Sequence, residues 1–81
     1  MNYKLPEGWI PYNTGGGCMA LVNEIDANRR WLITVAEDVE IPQTDTEPCL
    51  LGLESESNEF MYWNCSCVHE AFMIVAGSFA I

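Results

Sequence analysis

The apolar residues change period once along this chain, and that change restricts the fold more than any other feature. Up to residue 64 they come in short runs separated by turn-forming residues, as in strands. Beyond it, Val68, Ala71, Phe72, Val75, Ala76 and Phe79 follow the i, i+3, i+4, i+7, i+8, i+11 spacing of a helical stripe. Ser66 is the expected N-cap, and the Glu70 carboxylate falls in the first turn, where the helix dipole favours negative charge. A lone helix with one apolar stripe needs a sheet to cover. The pattern therefore predicts an α+β domain: an antiparallel β-meander of about four strands with one C-terminal helix packed on one face.

The strand half reads segment by segment. Leu5-Pro6-Glu7-Gly8 is an opening turn, and Trp9, Ile10 and Tyr12 form a short strand that Pro11 assigns to a sheet edge. Asn13 to Gly17, "NTGGG", is a hairpin turn; no Lys-Ser/Thr follows the triplet, as a phosphate loop requires. Residues 18–25 and 31–35 fit half-buried strands joined by the polar turn "DANRR", so they are expected to pair. Residues 36–48, with Pro42 and Pro48, read as loop with a brief extended piece around 39–41. Segments 49–55 and 59–64 complete the strands. Leu21, Leu32, Ile33, Leu51, Phe72 and Val75 are the predicted core between sheet and helix.

Eighty-one residues make one domain, 1–81, and a 49% hydrophobic content is too high for a disordered acidic tail. A chain this size buries roughly 60% of its unfolded surface, which leaves room for one core and no deep substrate pocket. The first residues lack the apolar run of a secretory signal. The longest apolar stretch, 71–81, is interrupted by Gly77 and Ser78 and falls far short of the ~20 residues that span a bilayer. A soluble cytoplasmic protein without membrane partners is expected, with Cys18, Cys49, Cys65 and Cys67 as reduced thiols.

Charge is divided unevenly. Residues 1–30 hold three acids and three bases, whereas residues 31–81 hold nine acids and no base, so the whole net charge of −9 lies in the second part. Ordinary surfaces intersperse both signs. Direct nucleic-acid binding is excluded on this ground, since phosphates require Lys and Arg. Trp9, Trp31, Phe60, Tyr62 and Trp63 are then core residues, with one or two left for a protein interface.

No chemical motif emerges. Cys65, Cys67 and His69 alternate in "CSCVH", but C-x-C closes a chelate less readily than C-x-x-C, and the helix start turns His69 off the shared face. No metal site or cofactor is assigned. Cysteine catalysis would need His69 as base and an activated, exposed thiol, which nothing marks. Carboxylates are abundant, yet so small a core builds no sugar cleft. The chain is expected not to be an enzyme.

Four carboxylate pairs stand two residues apart: Glu24/Asp26, Asp38/Glu40, Asp45/Glu47 and Glu54/Glu56. In extended chain such pairs lie on one side about 6.6–6.8 Å apart, and two steps along a DNA strand advance about 6.8 Å. The expectation is that Glu37, Asp38, Glu40, Asp45, Glu47, Glu54, Glu56 and Glu59 act together on a positively charged groove of a protein partner.

In size, acidity, α+β pattern and stretches such as "AEDVEIPQTDTE" and "LESESNE", the chain resembles the small acidic phage-encoded anti-CRISPR proteins. The resemblance implies a stoichiometric inhibitor that occupies the basic DNA-binding surface of a CRISPR surveillance complex by DNA mimicry. It also implies the cytoplasm of an infected or lysogenic bacterial host. It carries no residue-level assignment. Two other classes remain compatible with the residues: a regulatory module on another basic protein, such as a nuclease or repressor, and a small zinc-binding module using the cysteines.

Overall fold

A computed structural model describes residues 2–35, 40–55 and 60–78. Strands β1 (Ile10–Gly15), β2 (Cys18–Glu24), β3 (Arg29–Val35), β4 (Cys49–Ser55) and β5 (Phe60–Cys65) form one antiparallel sheet in the order β1-β2-β3-β4-β5, and helix α1 (Val68–Ser78) follows. The α+β meander has five strands where about four were expected, and the Pro11 segment is the edge strand, paired with β2 as its proline suggested. The β1–β2 turn is the glycine triplet. Gly15, Gly16 and Gly17 adopt φ of 113°, 62° and 84°, a region costly for residues with a Cβ. Asn13 Oδ1 accepts the Gly15 N–H at 2.8 Å where the register slips.

Register decides which residues meet the helix. Leu21, Ile33, Leu51 and Trp63 line up in one row across β2, β3, β4 and β5. Val68, Ala71 and Val75 of α1 join the same core, and the first three of that row are fully buried. Successive strand residues point to opposite faces, so Leu32 and Ile33 cannot share the core. Ile33 is buried beneath the helix, whereas Leu32 is half-buried on the other face. Phe72 also departs from the expected core: it is half-buried at the flank of α1, with its ring 5.4 Å from that of Trp9 and 6.4 Å from that of Tyr3. Ala76 is exposed, and Phe79 lies outside the described residues.

The helix start differs from the expected cap. The Ser66 hydroxyl donates to the Glu70 carboxylate at 2.6 Å, while the first helical turn closes through the Ala71 N–H and the Cys67 carbonyl at 3.4 Å.

The N-terminal segment crosses to the acid-rich connection and fixes it. The Tyr3 hydroxyl donates to the Pro42 carbonyl at 2.6 Å, the Asn2 N–H to the Gln43 carbonyl at 3.0 Å, and the Asp45 N–H to Asn2 Oδ1 at 3.0 Å. Pro42 is fully buried. Residues 40–48 are thus an anchored loop, and the extended piece expected around 39–41 begins outside the described residues. No helix among the described residues is long and apolar enough to cross a membrane.

Candidate interaction surface

One helix covers one side of a five-stranded sheet, and among the described residues no helix lies on the other, although Ala20 and Val22 there are only 1% exposed. The middle of that side is mostly apolar. Ala20, Leu32, Thr34, Leu50, Gly52 and Phe60 line a shallow groove of about 330 Å³, closed at one end by Arg30 and Glu54. Large apolar side chains flank it on the outer strands: Ile10 and Tyr12 on β1, and Phe60 and Tyr62 on β5, are between 44% and 61% exposed. Phe60 and Tyr62 stack at 5.9 Å. Gly52 permits this arrangement, since a Cβ there would come within 2.7 Å of Phe60 Cζ.

The polar end of the groove is built by register. Glu24 pairs with Arg30, and Arg30 with Glu54, so one guanidinium stands between two carboxylate-bearing strands. Arg30 Nε donates to Glu54 at 3.2 Å, and the guanidinium lies 5.5 Å from the centre of the Tyr12 ring. In the adjacent turn Asp26 accepts the Asn28 and Arg29 N–H groups at 2.9 Å each, and its second oxygen takes the Arg29 side chain at 2.9 and 3.1 Å. The Arg29 hydrogen bonds hold the Asp26 carboxyl below its ordinary value. Both arginines of the chain are therefore engaged by carboxylates.

The expected carboxylates fall in separate places. Asp45 and Glu47 share one loop with exposed Glu40, while Glu54 lies at the opposite end of β4. Seven strand residues span about 20 Å, so these four do not form one patch. Glu37, Asp38, Glu56 and Glu59 lie outside the described residues. Two of the four carboxylate pairs lie wholly within the described residues, and neither is in extended chain. Asp45 and Glu47 occupy a turn, and Asp26 belongs to the β2–β3 turn, so the 6.6–6.8 Å spacing argued from strand geometry does not apply to them. Glu47 Oε1 accepts the Thr44 N–H at 3.1 Å and also the Gln43 N–H, which makes it a loop-organising group. Asp45 lies 3.5 Å from His69 Nε2.

The cysteines are spread between the core and the surface. Cys49 and Cys65 are direct cross-strand partners buried in the core. Burial pushes the Cys49 thiol up to about 12 and raises that of Cys65, the opposite of what a thiolate ligand needs. His69 is exposed on α1 and faces Asp45 and Phe72. Among the described residues, no three Cys, His, Asp or Glu side chains converge to hold an ion.

Sequence reasoning overlooked the open groove, although a signal was present. Trp31-Leu32-Ile33 and Leu50-Leu51 are continuous apolar runs where a half-solvated strand would alternate. The architecture is that of a two-layer α+β domain with the helix on one sheet face and, among the described residues, none on the other. No protein-family model, curated protein or solved structure matches the chain.

Proposed function

We propose that the chain is a small, non-enzymatic inhibitor that docks its negative surface on a basic, DNA-binding surface of a protein complex and so competes with DNA. A CRISPR surveillance complex, in the cytoplasm of an infected or lysogenic bacterial host, is the target that the resemblance of the sequence implies. One observation carries the reading: Arg29 and Arg30 are tied to Asp26 and Glu54, so they do not offset the exposed carboxylates of Glu7, Glu24 and Glu40. An excess of charge of one sign steers encounter with a positive groove and suppresses wrong partners. The test is binding of labelled target DNA to purified surveillance complexes in the presence of the chain. DNA should be displaced at stoichiometric concentration, less so at high salt, and less by a Glu24→Lys/Glu40→Lys variant. DNA binding that is unaffected by the chain would refute the anti-CRISPR reading.

A further inference from the structure

The charge of the chain attracts a basic partner over a distance but gives no short-range contact, and the expected acidic loop has part of its polar capacity committed internally. The open sheet face has the complementary properties. Its floor of Ala20, Leu32, Leu50 and Gly52 is apolar, Phe60 stands over it, and Tyr12 and Tyr62 flank it on the outer strands. At one end lie the carboxylates of Glu24 and Glu54, with Arg30 between them already paired to Glu54.

We infer that this face is the docking surface for a basic amphipathic segment of a protein partner. Its aliphatic side chains would fill the groove between Leu32, Leu50 and Phe60, and its Lys or Arg side chains would reach exposed Glu24 and the aromatic faces. The inference rests on the reading of the chain as a binder of a basic protein and specifies where contact is made. Lys and Arg stems lie along apolar surface while their charged ends reach outward, and exposed aromatic faces attract such cations. The volume of about 330 Å³ belongs to an open groove, which suits side chains of a partner better than a small molecule that must be largely enclosed.

A second copy of the chain fits the face less well. Five strands of about seven residues expose a face of roughly 19 by 20 Å, or about 400 Å². That is near half of the ~800 Å² that each partner of a standard stable interface buries. Face-to-face pairing would also bring two chains of net charge −9 together. A basic segment gains from the surrounding carboxylates what a second copy loses.

The experiment is a titration of the isotope-labelled chain followed by amide NMR, with three probes: an amphipathic Leu/Lys helical peptide, a Leu/Glu peptide of the same length, and polylysine. The Leu/Lys peptide should perturb the amides of Ala20, Leu32, Thr34, Leu50, Gly52 and Phe60, and the Leu/Glu peptide should not. Polylysine should bind more weakly, lacking the apolar contact. Phe60→Ser and Tyr62→Ser alter exposed side chains, and each should weaken the Leu/Lys peptide by about tenfold while the amide spectrum stays folded. Leu/Lys perturbations confined to residues 40–47 and α1 would overturn this docking surface but leave the basic-partner reading standing. No binding of either cationic probe would overturn both. Concentration-dependent self-association through the same amides, without peptide, would assign the face to a second copy and overturn the inference.

Discussion

Leu32 and Ile33 are sequence neighbours of nearly equal size and hydrophobicity, yet the fold gives them opposite surroundings. Ile33 is completely buried between cross-strand partners Leu21 and Leu51, themselves completely buried, beneath α1. Leu32 is half-buried on the open face, beside Gly52 and the groove. Ile33→Ala removes three buried carbons where neighbours on every side are held by sheet and helix, so the site collapses little. It should cost about 2–5 kcal/mol. Leu32→Ala removes as many carbons from a site water already reaches; no sealed cavity forms and only part of the ~1.5–3 kcal/mol for full burial is at stake, leaving about 1 kcal/mol. A domain of this length has a total stability of roughly 4–12 kcal/mol. With a shift of about 4–8 °C per kcal/mol, Ile33→Ala should melt at least about 8 °C lower, and Leu32→Ala about 4–8 °C lower. Thermal and urea unfolding of the two variants decides the matter. Equal losses, or the larger loss at Leu32, would show that β3 presents its other face to the helix, and the groove would lose its floor.

Within the acidic loop, Glu47→Ala should destabilise by about 1 kcal/mol, the usual cost of losing a side-chain acceptor for backbone N–H groups. Glu40→Ala, exposed, should stay within about 0.5 kcal/mol; urea midpoints compare them. Stability should fall in alkali. Burial, with the nearby Cys49 and Glu47 charges adding to it, raises Tyr3 from 10.0 to about 12, and burial first of all raises Cys49 from 9.0 to about 12. Because both folded-state values are raised, their contribution is fully present below about pH 9 and lost as pH climbs toward 12. Melting temperatures flat between pH 8 and 12 would contradict the burial of these groups. Under native conditions iodoacetamide should label the partly exposed Cys18 and Cys67 first, with the buried Cys49 and Cys65 reacting only as the chain unfolds. Peptide mass spectrometry reads the order, and early modification of Cys49 would mean the β4–β5 core is open.

Local chemistry made much of the architecture legible in the sequence. The glycine triplet read as a turn and Asp26 to Arg30 as another, Pro11 suited an edge, and the 3.6-residue stripe from Val68 identified the helix, with Val68, Ala71 and Val75 buried but Phe72 at the flank and Ala76 exposed. Each of these is decided within a few residues. Contacts between distant segments are not. Only the folded chain shows Asn2 and Tyr3 pinning the loop some forty residues away, because nothing in a sequence states which remote carbonyl a tyrosine hydroxyl will meet. Only the strand register places Arg30 between Glu24 and Glu54, a pairing fixed by the joint lengths of two connections. The carboxylates looked like one surface when read in order, since they follow one another along the chain. The sheet carries Glu54 to one end and the loop holds Asp45 and Glu47 at the other. Net charge is a sum over composition and survives any fold, whereas a patch depends on where the backbone turns back.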